Sequence, residues 1–248
     1  MTNNKLISVI IPVYHGELLV NILAERLINS LEKITGDYEI ILINDASPDN
    51  SWNIISQLAS ENKKITAIDL QQNYGQHAAI KAGLEYSAGE WIVVMDCDLQ
   101  DQPEEIIKLY HSIAKNSDSV FALRSEGRTG LLQRAYSRFF YFLLGAFTGI
   151  KFKGRVANFG IYHKALIKRA LSIPAKYFFL PLAVRRAAEF SEHVEVEHAE
   201  RHSGKTTYSF FKAMQLAIVI LAANSFLSFL IKQGNDNYVI REIINPNK

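Results

Sequence analysis

Short apolar runs and longer mixed segments alternate along the first half of the chain. The apolar runs are rich in β-branched residues, as is typical of strands covered on both faces of a sheet, and they span residues 6–13, 38–44, 65–70 and 91–96. Segments of helical length separate or follow them, at residues 18–34, 50–62, 76–88 and 103–115. This alternation predicts an α/β domain with a mainly parallel sheet, flanked by helices and joined by right-handed crossovers.

Each of these apolar runs becomes polar at its carboxyl end. The polar residues are Tyr14, His15, Glu17, Asn44, Asp45, Ser47, Gln71, Gln72, Asn73, Asp96, Asp98 and Gln100. Parallel α/β sheets bind ligands at the carboxyl ends of their strands, so the pattern predicts a ligand site at this edge. The chain has no Gly-x-Gly-x-x-Gly after the first run and no P-loop motif, which argues against dinucleotide-dependent redox and P-loop chemistry.

Asp96 and Asp98 are the most informative residues at that edge. In an extended chain, residues two apart share a face, so the two carboxylates can converge on one point. Mg²⁺ and Mn²⁺ take oxygen ligands and usually keep positions for substrate phosphates, which makes that point a natural divalent-cation site. A turn with helix-capping acids explains the same residues, and the pair alone does not decide between the two interpretations.

The second half has a different pattern. Residues 120–123 and 194–198 read as strands, residues 163–171 and 180–190 as helices, and residues 138–150 form an aromatic run after a basic segment. The apolar segment 213–231 suits a helix in the membrane interface, a buried core helix or a membrane span. We expect the polar tail after Gly234 to fray.

Composition narrows the class of protein. The chain has 248 residues, of which 48% are hydrophobic and 21% charged, so it is long enough and apolar enough to build a folded core. A net charge of +2 is too small to indicate a nucleic-acid partner. The single cysteine, Cys97, excludes an internal disulfide and a multi-cysteine zinc site, and a reducing cytoplasmic setting fits best.

Taken together, several motifs resemble those of the inverting family 2 glycosyltransferases with the GT-A fold. The likeness is strongest to the dolichol-phosphate mannose synthase and bacterial polyprenyl-phosphate glycosyltransferase branch and covers about residues 5–225. The motifs are Pro12-Val-Tyr, Asn44-Asp-Ala-Ser-Pro-Asp-Asn-Ser, Asn73-Tyr-Gly-Gln-His-Ala-Ala-Ile-Lys-Ala-Gly, Met95-Asp-Cys-Asp-Leu-Gln-Asp-Gln-Pro-Glu and Arg201-His-Ser-Gly-Lys-Thr-Thr-Tyr. The resemblance implies a nucleotide-sugar-binding half at 1–123, an acceptor half with a mobile loop at 124–207, and a C-terminal apolar helix and polar tail at 208–248.

The resemblance also implies roles for individual residues. A divalent cation, Mg²⁺ or Mn²⁺, would be held by Asp96, Asp98 and Gln100. Catalysis would depend on Asp98 together with Arg201 and Lys205, which could close over the donor diphosphate. The nucleotide sugar would bind to Pro12, Tyr14, Glu17, Asn44, Asp45, Asn73, Lys81 and Asp96.

The resemblance implies transfer of a hexose to a polyprenyl phosphate at the cytoplasmic face of the membrane, by a peripheral or monotopic enzyme. The acceptor phosphate would lie among Arg124, Arg134, Ser137 and Arg138. The base motifs of hydroxyl-directed relatives are missing, and Glu189 and Glu192 are the nearest substitutes. Transfer to a hydroxyl of a lipid-linked glycan therefore stays an alternative, as does a membrane-peripheral binding protein on the same scaffold.

Several residues depart from the family pattern. His15 and Gly16 replace the usual Asn-Glu, Asn44 replaces a common aspartate, Gln72 a common arginine, and Thr207 the lysine of the loop motif. These changes leave the expected fold intact, but they leave the donor base and sugar open. His198 precedes the Arg201 loop, where it could approach the metal or simply pack.

Overall fold

The computed structural model describes residues 6–114, 116–124, 142, 145–146, 148–149, 156–173, 177–199 and 238–246 of the chain. For residues 124, 156 and 157 it describes only the backbone. The predicted helix at 213–231 lies outside these ranges. Within them, no helix has the length and apolar character needed to cross a membrane.

The first half follows the predicted alternation of strands and helices. Its elements are β1 Ile7–Val13, α1 Val20–Leu31, β2 Tyr38–Asn44, α2 Ser51–Glu61, β3 Ile65–Leu70, α3 Gln76–Tyr86, β4 Trp91–Val94 and α4 Glu105–His111. Two ends differ from the prediction. β4 stops two residues before Asp96, and α4 ends at His111 rather than at residue 115.

The second half contains two strands that the sequence did not predict. Its elements within the described ranges are β5 Ser119–Arg124, β6 Val156–His163, α5 Lys164–Ser172, α6 Leu180–Ala187, β7 Ser191–Val196 and β8 Ile240–Ile244. β6 was not expected, and β7 begins three residues earlier than predicted. The expectation that the tail frays is wrong for β8, because β8 pairs with β3 along residues 240–244.

The strands form one sheet in the order β7-β5-β6-β4-β1-β2-β3-β8. The pairs β1–β2, β1–β4, β2–β3 and β5–β7 are parallel, whereas β6 runs antiparallel to β4 and β5, and β8 antiparallel to β3. The expected mainly parallel sheet is therefore confirmed. Strands from all three predicted segments lie in it, so those segments are parts of one sheet.

Helices cover both faces of the sheet. Val9 and Ile11 of β1 point into a core shared with α1, α2 and α4, while Ile10 points into a core shared with α3, α5 and α6. Burying one such side chain contributes about 1.5–3 kcal/mol. Gly83 lets α3 approach closely, because a Cβ there would lie 2.5 Å from Cγ2 of Ile10. This two-sided packing explains the continuous apolar runs and fixes where the strands end.

Candidate active site

The carboxyl ends of β4, β1, β2 and β3 meet at one edge of the sheet, which we call the site edge. These strands are neighbours, and the last residues of β1 and β2, Val13 and Asn44, pair with each other. Asn44 in turn pairs with Asp69 of β3. The predicted convergence of the polar strand ends is thus confirmed for these strands.

An unusual backbone conformation follows each of these strands. Positive φ angles occur at His15 (55°), Ala46 (48°), Gly75 (89°) and Leu99 (60°). Among the described residues, these three non-glycine residues are the only non-glycine residues with a positive φ angle. Such conformations cost about 1–3 kcal/mol each and concentrate at functional sites. The backbone therefore marks the same edge as the polar side chains do.

A hydrogen-bonded network joins the loops that follow β1 and β2. The backbone N–H of His15 donates to Oγ of Ser47 at 2.7 Å, and the N–H of Gly16 donates to Oγ of Ser51 at 3.0 Å. Both serine hydroxyls donate to Oδ1 of Asp49 at 2.6 Å. Burial alone would raise the pKa of Asp49, but these hydrogen bonds outweigh it and hold the pKa below its ordinary value. Asp49 is therefore an ionised centre that organises both loops.

Glu17 and Gly16 belong to the same network. The carboxylate of Glu17 accepts the N–H of Asn50 at 2.9 Å, and the N–H of Glu17 donates to Asp49 at 3.2 Å. Close packing explains the glycine at position 16, because a Cβ there would lie 2.8 Å from Cγ1 of Val13. The departure from the family pattern at Gly16 thus fits this loop, and Glu17 joins the two loops.

Asp45 holds the loop that follows β3. It is buried, and its carboxylate oxygens accept the backbone N–H groups of Tyr74 at 2.7 Å and Gly75 at 2.9 Å. Burial raises the pKa of Asp45, while the two backbone hydrogen bonds oppose that rise. The predicted contact of Asp45 with a nucleotide base stays a prediction, and the structure adds a positioning role for the same carboxylate.

Asn44 is buried and bridges β3 to the loop after β2. Its Nδ2 donates to Oδ1 of Asp69 at 2.7 Å, and its Oδ1 accepts the N–H of Ser47 at 3.2 Å. An amide can make both contacts because it has a donor and an acceptor, whereas an ionised aspartate has no donor. These two hydrogen bonds explain why an asparagine at position 44 suits this chain, although aspartate is common there in the family.

Asp96 and Asp98 follow β4 but do not share an extended strand. The chain turns at residues 97–98, so the expected alternation of an extended chain is wrong here, and the turn interpretation is right about the backbone. Oδ1 of Asp96 accepts Nε2 of Gln76 at 2.6 Å, and Oδ1 of Asp98 accepts the N–H of Gln100 at 3.1 Å. Both aspartates are half-buried at the site edge, so the turn and the cation interpretations are compatible.

These residues fit a cation that is shared with a ligand. Within the described ranges, no group of three or more His, Cys, Asp or Glu side chains could hold a metal by itself. Asp96, Asp98 and Gln100 offer the oxygen donors that Mg²⁺ and Mn²⁺ prefer, and a diphosphate would complete the coordination. Between the two aspartates, burial raises the pKa of Cys97 to about 11, which keeps the thiol protonated and unreactive.

The remaining predicted donor-site residues are spread along the site edge and α3. Pro12 is buried in β1, and Tyr14, 44% exposed, is the next residue but one. Asn73 is exposed in the loop after β3. Lys81 is partly buried in the second turn of α3.

The stretch that leads to Arg201 begins beside the Asp98 loop. The N–H of Ala199 donates to the carbonyl oxygen of Gln100 at 3.0 Å, and His198 forms a β-bridge with Asp101. Nδ1 of His198 lies 3.5 Å from Oδ1 of the buried Asp101. The chain thus reaches the site edge again just before the predicted diphosphate-binding loop.

Of the predicted acceptor and loop residues, the structure places the backbone of Arg124. Arg124 ends β5, and because β5 runs parallel to β4 its backbone lies at the site-edge end of the sheet. The others lie outside the described residues: Arg134, Ser137, Arg138, Arg201 and Lys205.

Glu189 and Glu192 lie at the opposite edge of the sheet. The N–H of Glu189 donates to Asp118 at 3.1 Å, just before β5 begins, and Glu192 pairs with Val120 near the start of β5. Neither carboxylate is near the carboxyl end of β4. The two glutamates named as substitutes for a general base are therefore not at the site.

Sequence reasoning missed Gln76 and Asp69. Gln76 is the first residue of the helix that begins at the site edge, and Asp69 is a lone carboxylate inside an apolar strand. Both positions could have been recognised from the sequence as candidates for a functional role. Their partners, Asp96 and Asn44, are about 20 and 25 residues away in the chain, so spacing alone could not pair them.

Comparisons with known proteins agree with this geometry. Residues 8–173 match the family model described as Glycosyl transferase family 2. The chain is 32% identical over 222 residues to an undecaprenyl-phosphate 4-deoxy-4-formamido-L-arabinose transferase from Shewanella sediminis, covering 89% of this chain and 67% of that protein.

Two solved structures share the fold. A glucosyl-3-phosphoglycerate synthase from Mycobacterium tuberculosis, in complex with Mn²⁺, UDP and phosphoglyceric acid, superposes with a TM-score of 0.64 at 15% identity, covering 96% of this chain and 86% of that one. A mannosyltransferase from Pyrobaculum calidifontis, in complex with GDP-Man and Mn²⁺, gives a TM-score of 0.62 at 14% identity, covering 94% and 66%. Both contain Mn²⁺, and their likeness confirms the expected GT-A fold.

Proposed function

Because this chain belongs to glycosyl transferase family 2, we propose that it is a metal-dependent inverting glycosyltransferase that moves a sugar from a nucleotide sugar to a polyprenyl phosphate. The main support is that four neighbouring strands end at the edge that carries Asp96 and Asp98, in a chain 32% identical to an undecaprenyl-phosphate 4-deoxy-4-formamido-L-arabinose transferase. The hexose expected from the sequence stays a prediction, since the name of that relative specifies an arabinose derivative.

The leaving group of this reaction is a nucleoside diphosphate. When bound, a divalent cation stabilises the charge that develops on the diphosphate. Asp96 and Asp98 would hold the cation through carboxylate oxygens, with Gln100 beside them, and the amide of Gln76 would orient Asp96. Arg201 and Lys205, which follow the stretch fixed at Gln100, would add positive charge to the diphosphate and exclude water.

A phosphate acceptor suits the chemistry of this site. An oxygen of the lipid phosphate forms the new bond to the anomeric carbon as the bond to the diphosphate breaks, with inversion. A phosphate monoester is already an anion near neutral pH, so no general base is required. The distance of Glu189 and Glu192 from the site edge favours this acceptor over a hydroxyl. We expect Arg124, Arg134, Ser137 and Arg138 to bind the acceptor phosphate.

The membrane surface is the expected second partner. The chain is fixed at the site edge at Ala199, next to Gln100, and again at Val239, whose carbonyl oxygen accepts the N–H of Gln71 at 2.8 Å. The intervening sequence contains the apolar segment 213–231, flanked by Lys212 and Lys232. Both ends of that sequence are therefore attached at the site edge, which supports action on a lipid-linked acceptor at a membrane surface. The cytoplasmic face stays the expectation from the sequence.

One assay tests this function. The protein is incubated with Mn²⁺ or Mg²⁺, a panel of UDP- and GDP-sugars that includes hexoses and aminopentoses, and undecaprenyl phosphate. We expect one donor to give a lipid-phosphate sugar with release of the nucleoside diphosphate, and we expect EDTA and Asp98→Ala to abolish the product.

Undecaprenol is the matched control acceptor, because it differs only in the phosphate. Transfer to undecaprenol or to a glycan hydroxyl, with none to the phosphate, would contradict the proposed acceptor. Donor binding without transfer to any acceptor would instead favour the binding protein on the same scaffold.

A further inference from the structure

The C-terminal strand is connected to the nucleotide-sugar site through a buried carboxylate. We propose that Arg241 of β8 is a positioning residue, which fixes the loop after β2 through Asp69 and Asn44. The inference rests on the proposed function in naming the ligand of that loop, but the contacts themselves do not depend on it.

Asp69 is a charge in an apolar setting. It is 0% exposed, and the alternation of side chains along β3 places it on the same face as Ile65 and Ala67, which belong to the core against α2. A buried carboxylate is strongly unfavourable unless charged and polar groups surround it. Arg241 supplies the countercharge, because its Nε–H donates to Oδ2 and a terminal nitrogen forms an ion pair with the same oxygen. Nδ2 of Asn44 donates to Oδ1 at 2.7 Å. Each oxygen of Asp69 thus has its own partner.

The countercharge determines how the amide of Asn44 points. An ionised Asp69 can only accept, so the NH₂ group of Asn44 must face it and the carbonyl oxygen must face the other way. That oxygen accepts the N–H of Ser47 at 3.2 Å, and Oγ of Ser47 in turn accepts the N–H of His15 at 2.7 Å. One line of contacts therefore runs from β8 to the loops after β2 and β1.

Without Arg241, the orientation of the Asn44 amide is no longer fixed. Removing Arg241 takes away the groups that hold Oδ2 of the buried Asp69, so the carboxylate can rotate and no longer fixes the NH₂ group of Asn44. The Asn44 amide can then turn over and present NH₂ to the N–H of Ser47, which breaks that hydrogen bond. Arg241 would therefore act on the loop through Asp69, although its own side chain is 56% exposed.

β8 has other contacts that provide a control. The hydroxyl of Tyr238 donates to Glu85, and Nδ2 of Asn245 donates to the hydroxyl of Tyr86 at 2.8 Å. Glu85 and Tyr86 are at the end of α3, away from the site edge. Tyr238→Phe thus weakens the attachment of the C-terminal segment without touching Asp69.

Hydrogen–deuterium exchange of the ligand-free full chain tests the proposal. In Arg241→Met, we expect the peptide that spans residues 45–51 to exchange about tenfold faster than in the wild type, because the hydrogen bond at Ser47 is weakened. Arg241→Lys should restore much of the protection. Tyr238→Phe should leave this peptide unchanged, even if it loosens β8. Equal exchange of residues 45–51 in Arg241→Met and Tyr238→Phe would overturn the proposal.

Asp69→Asn and a binding measurement test the proposal further. If Arg241→Met does not fold, Asp69→Asn can replace it, because this change keeps the side-chain volume and removes the charge. Asp69→Asn should accelerate exchange of the same peptide, and unchanged exchange there would also overturn the proposal. Calorimetric titration with UDP or GDP and Mn²⁺ should give a Kd about fivefold to tenfold weaker in Arg241→Met. If the wild type binds neither nucleotide, the proposed function fails, while the exchange result still decides the role of Arg241.

Discussion

Two parts of the site edge use the same residue type in different ways. In the loop corner, formed by the segments 14–17, 44–51 and 73–77, Asp45 and Asp49 accept hydrogen bonds from backbone N–H groups and serine hydroxyls. In the metal corner, formed by residues 95–101 and named for the cation that we propose it holds, Asp96 accepts a hydrogen bond from the side-chain amide of Gln76. The loop-corner carboxylates hold the chain in place, whereas Asp96 is positioned by another side chain.

This difference separates stability from activity. A carboxylate that accepts two partly buried backbone N–H groups leaves both unpaired when it is removed, which destabilises the fold. A half-buried carboxylate in a turn can be changed at small cost to the fold, but its loss removes a ligand from a cation. Aspartates that look alike in the sequence are therefore expected to respond oppositely to substitution.

The largest expected effect is in the metal corner. Asp96→Asn keeps the shape of the side chain and an acceptor for Gln76, but it removes a negative charge from the cation. We expect the turnover of the donor identified by the panel to fall about a thousandfold, equivalent to about 4 kcal/mol of transition-state stabilisation. The free energy of unfolding should change by less than about 1 kcal/mol. Steady-state kinetics and urea unfolding of the same preparations check both parts.

Turnover of Asp96→Asn within tenfold of the wild type would show that Asp96 does not hold the cation. Adding excess Mn²⁺ is a useful control, because a variant that only binds the metal more weakly should recover part of its activity.

Asp45→Ala should have the next largest effect, which we expect on the free energy of unfolding rather than on turnover. The change leaves the partly buried N–H groups of Tyr74 and Gly75 without their acceptor, at about 1–2 kcal/mol for each. We expect the free energy of unfolding to fall by about 2–4 kcal/mol in urea. Asp45→Asn, which keeps an acceptor for one N–H, should lose clearly less. Equal stability of Asp45→Ala and the wild type would remove the distinction between the two corners.

The first half of the fold could be predicted because each of its strands has the local signature of burial on both faces. β6 was missed because Asn158 and Gly160 interrupt its apolar pattern. Gly160 is required by packing, since a Cβ there would lie 2.6 Å from the hydroxyl of Tyr162. β8 was missed because Arg241 and Glu242 stand between its isoleucines, and because its partner strand lies about 170 residues earlier.

The candidate site divides in the same way. The proposed cation ligands could be chosen from the sequence, because Asp96, Asp98 and Gln100 lie within one short motif. The contacts that hold the corners together, such as Gln76 with Asp96 and Arg241 with Asp69, join residues that only the folded sheet brings close. The sequence therefore identifies candidate residues that are close together in the chain, but it does not identify the distant residues that position them.

Acid should loosen the loop corner through His77, with the smallest of these effects. His77 lies in the first turn of α3, directly after the loop held by Asp45, and its ring packs edge-on against Phe179 at 4.8 Å. Burial lowers the pKa of His77 from 6.5 to about 4. Between these values the unfolded chain takes up a proton that the folded protein does not, so stability falls as the pH falls through this window.

From pH 7.5 to pH 5, this single group should lower the free energy of unfolding by about 2 kcal/mol. His77→Phe keeps an aromatic ring against Phe179 and removes the proton site, so the variant should lose about 2 kcal/mol less than the wild type over the same interval. Urea unfolding at both pH values measures this change in the free energy of unfolding for the wild type and the variant. The contributions of the other histidines are the same in both proteins and cancel when the two changes are subtracted. An identical pH dependence in the variant would mean that His77 is solvated, and that α3 enters the loop corner less tightly than its contacts indicate.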